Sequence, residues 1–269
     1  MPRGAARAPQ RLPDIAAPAG PRLRISAVTR PMVPVICLPG LLCDGRSCDP
    51  LRAELGETGR AMRVAAIPAV DSFEAMAARI GEALPPRAVL VGMSMGSYLA
   101  LALACRHPAQ VAGLVLIGTT AAADSPRAAL LRRLSVARAA REGMAALADA
   151  VADAVLSPGR RADPALRARI RAMAEATGPA VFAAHQKALA ARPDQTGELA
   201  RIRCPVLVLT GSEDRVTPPE AGRAVARGVA RGRFVLLQGA GHLPALEAPV
   251  PVARQLAAFL DRLAAEPAP

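Results

Sequence analysis

An α/β fold, with a mostly parallel sheet and helices on both of its faces, is what the sequence predicts, and three observations predict it. Short uninterrupted apolar runs recur along the chain, and helix-compatible stretches separate them. With 52% hydrophobic residues among 269, there is also ample material for a buried core. Apolar runs without polar alternation are the mark of strands covered on both sides. Strands of that kind alternating with helices build a layered α/β domain.

The elements follow in order. Residues 1–21 hold five prolines and few large apolar side chains, so they read as a disordered arm. They also lack the continuous apolar stretch of a secretory signal. Residues 22–28 (RLRISAV) alternate polar and apolar side chains and suit an edge strand. Met32, just before the next run, is a second candidate start for a shorter functional chain. Strands are expected at 33–38 (VPVICL), 88–91 (AVLV), 114–117 (LVLI), 206–209 (VLVL) and 234–237 (FVLL). Asp71 is placed to cap a helix while Glu74 reaches back, and that helix should run to Leu84 before Pro85 and Pro86. Residues 95–106 permit helix throughout and stop at His107-Pro108. Thr217-Pro218-Pro219-Glu220 reads as another capping box with proline at the first helical position, and 251–263 as a closing amphipathic helix.

The stretch 124–201 breaks this alternation. It is rich in Ala, Leu and Arg and interrupted at Ser157-Pro158-Gly159, Asp163-Pro164 and Gly178-Pro179. Three or four helices inserted between two strands are expected, flanked by a core formed from 22–123 and 202–269. Such an insertion lies at the carboxyl edge of the sheet, where open α/β sheets place their ligands. A lid and a purely structural extension both fit it.

The net charge of +12 invites a nucleic-acid reading, but its distribution opposes one. The excess is +5 in residues 1–30, zero in 31–123, +5 in 124–201 and +2 in 202–269, rather than gathered on one element. One Tyr, four Phe and no Trp leave nothing for base stacking. No run of eighteen apolar residues appears, so no membrane span is expected. Five cysteines without a C-x-x-C pair and three scattered histidines give no metal-ligand pattern. Cys37, Cys105 and Cys204 lie in or beside apolar runs and read as buried, reduced thiols, which favours a cytoplasmic location.

Chemistry concentrates at three strand ends. Gly92-Met93-Ser94-Met95-Gly96 joins the strand at 88–91 to the helix at 95–106. A serine on so sharp a turn is lifted out of the sheet, with a helix N-terminus behind it that favours developing negative charge. A serine hydroxyl needs a base, and His242 stands on a Gly-rich loop after the strand at 234–237. Asp214 follows the strand at 206–209 and can orient that histidine; Glu213 beside it is the alternative acid. His107 ends a helix and His185 sits among insertion alanines, so neither competes as base.

On these residues the chain from about 33 to 263 resembles the α/β-hydrolase superfamily of serine esterases and related enzymes. The matching segments are Leu38-Pro-Gly-Leu-Leu-Cys-Asp44, Gly92 to Gly96, 106–116, 204–211 with Asp214, and Gly241-His242. The resemblance implies catalytic roles for Ser94, Asp214 and His242. It also implies an oxyanion hole made by the backbone N–H groups of Leu41 and Met95. Many members carry His-Gly where this chain has Pro39-Gly40, a departure that leaves a backbone donor in place. No cofactor or metal is implied, and Ser94 speaks against the branch that uses an aspartate nucleophile. The expected substrate is a small or medium carboxylic ester. A lactone is the alternative, suggested by likeness of Ala191-Arg-Pro-Asp194 to enol-lactonases; acyl transfer and a catalytically silent binding protein are the others. The oligomeric state is left open.

Overall fold

Among the described residues, six strands, all parallel, form one sheet in the order β2-β1-β3-β4-β5-β6. The computed structural model describes residues 33–266, so the expected arm at 1–21 and edge strand at 22–28 lie outside the described residues. The five expected runs become β1 (Val35–Leu38), β3 (Ala88–Met93), β4 (Val111–Ile117), β5 (Val206–Gly211) and β6 (Gly232–Leu237). A sixth, β2 (Met62–Val64), was not foreseen and pairs with β1 at one edge.

Successive strand residues face opposite sides of the sheet, and both sides are covered. Ile36, Leu90, Leu114 and Val208 pack against α2 (Phe73–Ala83), α3 (Met95–Arg106) and α6 (Pro219–Gly228) through Phe73, Met76, Leu99 and Val225. Val35, Val89, Val115 and Leu207 meet α1 (Asp49–Gly56) and α8 (Pro249–Ala265) through Leu51, Leu55, Leu256 and Phe259. Double-sided burial is why these strands read as unbroken apolar runs.

Two expected helix starts are corrected. Ser72, not Asp71, caps α2, its side chain accepting from the Ala75 N–H at 3.2 Å. Asp71 instead pairs with Lys187, 2.6 Å away. The cap of α6 is Pro218, with no side-chain hydrogen bond, and Thr217 is used elsewhere.

Between β4 and β5 run α4 (Pro126–Val155) and α5 (Pro164–Ala190). Each is two helical segments meeting at a glycine of positive φ, Gly143 at 83° and Gly178 at 72°. Leu147, Leu156, Ile170, Met173 and Phe182 form a separate apolar cluster that also takes in Leu42 and Leu246. A short helix, α7 (Pro244–Glu247), links β6 to α8.

Candidate active site

Between the last residue of β3 and the first of α3 only Ser94 remains to make the turn. Its backbone takes φ 49° and ψ −116°, a conformation that costs a residue with a side chain about 1–3 kcal/mol. Neighbours hold it there. Its N–H donates to the Ile117 carbonyl at 2.8 Å, and its own carbonyl accepts from the Ser97 N–H at 2.8 Å and hydroxyl at 2.6 Å. The flanking glycines are steric necessities: a Cβ at Gly96 would stand 1.9 Å from the Leu38 carbonyl oxygen, and one at Gly92 2.5 Å from that of Gly96.

The structure brings His242 and Asp214 to this serine. His242 Nε2 lies 2.9 Å from Ser94 Oγ, and Nδ1 lies 2.8 Å from Asp214 Oδ2. With the Nδ1 proton donated to the carboxylate, Nε2 is free to accept the serine proton. Asp214 Oδ1 accepts from the Val216 and Thr217 N–H groups, both at 2.9 Å, while Oδ2 accepts the Thr217 hydroxyl at 2.8 Å. Burial alone would raise the Asp214 pKa, but the field of His242 and hydrogen bonds from His242 and Thr217 outweigh it and hold the carboxyl below its ordinary range. The Glu213 side chain is exposed, and its N–H donates to the Ala240 carbonyl at 2.9 Å. His185 is buried 3.0 Å from the Pro68 carbonyl, and His107 closes α3.

The histidine loop is anchored from below. The His242 N–H donates to the Val155 carbonyl at 2.7 Å. The buried Glu247 carboxylate accepts from Gly241 N–H at 3.1 Å, Leu243 N–H at 3.2 Å and, across to the end of α4, Ser157 N–H at 2.8 Å. One carboxylate thereby ties the loop that carries His242 to the helical insertion.

Ser94 and His242 open into a cavity of about 200 Å3, walled mostly by apolar side chains from α4, α5 and the loop at 40–43. That is below the roughly 300–1,000 Å3 typical of sites for drug-sized ligands. Among the described residues, Ser94 and Leu42 (φ 58°) are the two non-glycines with positive φ, and both line this cavity. Leu41 lies on the same wall, and Met95 opens α3 directly behind the serine. Cys43 also lines the cavity, but burial pushes its thiol up to about 12, so almost no thiolate nucleophile forms at neutral pH. A more open hollow of about 390 Å3 on the insertion, beside Asp149, Arg167 and Arg171, carries charged groups already paired to one another.

Sequence reasoning missed Tyr98, Arg132, Thr217 and Glu247 around this site. Only Thr217 gave a local signal: three residues after Asp214, it is placed for its N–H and hydroxyl to reach back to that carboxylate.

A sequence model of the alpha/beta hydrolase family matches residues 6–255. A pimeloyl-(acyl-carrier protein) methyl ester esterase of Neisseria meningitidis serogroup C is 31% identical over 181 residues, 65% of this chain and 70% of that protein. One bearing the same name from Aromatoleum aromaticum is 34% identical over 179 residues, 62% of this chain and 71% of that one. Among solved structures, a thermophilic esterase from Thermogutta terrifontis superposes with a TM-score of 0.76 at 33% identity, covering 86% of this chain and 90% of that one. The enol-lactonase of Burkholderia xenovorans LB400 does so with 0.74 at 28%, covering 85% and 92%. With the family model spanning most of its length, this chain belongs to the alpha/beta hydrolase family.

Proposed function

We propose that the protein hydrolyses small or medium carboxylic esters through an acyl-enzyme on Ser94. The observation that carries this reading is the continuous hydrogen-bonded line from Ser94 Oγ through His242 to Asp214, set at the mouth of an apolar cavity. His242 Nε2 takes the hydroxyl proton as Ser94 Oγ bonds to the substrate carbonyl carbon, and Asp214 stabilises the imidazolium that forms. Backbone N–H groups of Leu41 and Met95 receive the oxyanion. As the carbonyl re-forms, the ester C–O bond breaks and His242 hands its proton to the departing alkoxide. Water, deprotonated by the same histidine, then attacks the acyl carbon, and Ser94 leaves with its proton restored. The residues 124–201 serve as a lid, since Leu147, Val151 and Phe182 roof the cavity. Five unpaired cysteines support a cytoplasmic location.

A panel of para-nitrophenyl acetate, butyrate, hexanoate and decanoate, run beside simple lactones, tests the reading. Hydrolysis of the shorter esters that disappears in Ser94→Ala supports it; activity that survives that change overturns it. Lactone opening is the second reading, favoured by the likeness to the enol-lactonase structure. Lactone rates well above ester rates would select it.

A further inference from the structure

The cavity beside Ser94 has one polar corner. Arg132, Ser135, Gln186 and Tyr98 line it, and the remaining wall away from Ser94 and His242 is almost wholly apolar. Arg132 donates Nη1 to Gln186 Oε1 at 2.8 Å, and Gln186 donates Nε2 to Ser135 Oγ at 2.8 Å. Nε and Nη2 of Arg132 go to Asp124, the latter at 3.2 Å.

Asp124 is shared. Arg192, its side chain 1% exposed, donates Nη2 to Asp124 Oδ1 at 3.1 Å and lies 4.2 Å above the Tyr98 ring. Two guanidinium ions therefore divide one carboxylate that is only 6% exposed, and one positive charge is left over beside the cavity. Asp194 also acts on Arg192, but from the exposed surface, where solvent screens its charge; its oxygens accept from the N–H groups of Ala123 at 3.0 Å and Thr196 at 2.8 Å. Three of the five N–H donors of Arg132 are engaged among the described residues, which leaves two. A partly desolvated guanidinium with spare donors and unmatched charge binds an anion more strongly than an exposed one does. Burial keeps the Tyr98 phenol protonated, with Arg192, Arg132 and Ser94 pulling the other way, so it too is a donor.

We propose that this corner is a carboxylate subsite, and that the preferred substrates are esters or lactones carrying one free carboxylate a short acyl chain away from the scissile carbonyl. The surplus of one charge matches a single carboxylate, and the cavity of about 200 Å3 keeps that chain short. The proposal rests on Ser94 hydrolysis as read above and adds what the substrate must carry.

The test compares the mono-para-nitrophenyl esters of succinic, glutaric and adipic acid with neutral esters of matching length. One charge-assisted hydrogen bond should favour the best acidic ester over its neutral partner by about ten- to a hundredfold in kcat/KM, mainly through KM. In Arg132→Gln that ratio should collapse toward unity, with circular dichroism and melting used to establish that the variant is folded. Free glutarate should compete with a neutral ester on the unaltered enzyme, an arm that needs no variant. Neutral esters turned over without acidic preference and without glutarate competition would overturn the subsite while leaving ester hydrolysis standing. No turnover of either set, with no dependence on Ser94, would remove the hydrolase reading and the subsite with it.

Discussion

Replacing Glu247 with glutamine should loosen the loop that carries His242 while leaving the Ser94, His242 and Asp214 side chains themselves unchanged. Both carboxylate oxygens accept from the backbone: Oε1 from Gly241 and Leu243, Oε2 from Gly241 and Ser157. An amide offers one acceptor oxygen and turns two donors toward N–H groups that need acceptors. Whichever way it points, at least one buried N–H loses its partner. A lost charge-assisted hydrogen bond and one orphaned donor together cost about 3 kcal/mol. In a domain of this size that lowers Tm by roughly 6–12 °C. The Ser157 bond joins the histidine loop to the end of α4, so kcat on a short ester should fall by about tenfold while KM moves less. Thermal unfolding followed by circular dichroism, with steady-state rates well below the transition, reads both effects. A Tm within a degree or two of the parent and an unchanged kcat would refute the anchoring role.

Asp214→Asn should lower kcat by about ten-thousandfold through loss of the correct imidazole tautomer, whereas Glu213→Gln, at an exposed site, should leave it within a factor of two. Because the Asp214 carboxyl is held below its ordinary range, its stabilising contribution is complete above the unfolded value of about 3.9 and is lost as pH falls through the lower folded value. Denaturant titrations from neutral pH down to below pH 4 should therefore show the gap between parent and Asp214→Asn narrowing on acidification, and a widening gap would contradict this. Thr217→Val deletes the hydroxyl bonded to Asp214 Oδ2 and should cost about tenfold in kcat; a rate equal to the parent's would make that bond incidental. Gly96→Ala would drive a Cβ to 1.9 Å from the Leu38 carbonyl oxygen, so it should give no soluble, cooperatively melting protein, and a well-folded variant would mean the elbow is looser than described.

What could be read from the sequence was what local chemistry decides. Strands β3, β4 and β5 announced themselves because both of their faces are buried; Ser94 and Asp214 stand on turns after β3 and β5, and His242 on a glycine-rich loop after the half-buried edge strand β6. The edge strand β2 is three residues long with Arg63 exposed, too brief to leave a pattern. Asp71 and Ser72 are both good caps; Ser72 takes the role, and Asp71 pairs with the Lys187 ammonium, 116 positions away in sequence. The same holds inside the site. Arg132 is one of many arginines until the fold brings Gln186 and Asp124 to it, and Glu247 is an ordinary first-turn acid of α7 until Ser157, ninety positions earlier, is placed against it. Thr217 suits a helix cap because of its neighbours Pro218 and Pro219, while in the structure its hydroxyl satisfies the buried Asp214 carboxylate.

The most direct measurement is covalent capture of the proposed nucleophile. Incubation with a fluorophosphonate, whose tetrahedral phosphorus adduct stands in for the tetrahedral acyl intermediate, should add one label per chain, as read by intact mass and located by peptide mapping. The label should fall on Ser94, be absent in Ser94→Ala, and form far more slowly in His242→Ala, where the proton acceptor 2.9 Å from Ser94 Oγ is gone. Labelling of a different residue, or labelling of Ser94 at an equal rate without His242, would contradict the assignment of these residues as nucleophile and base.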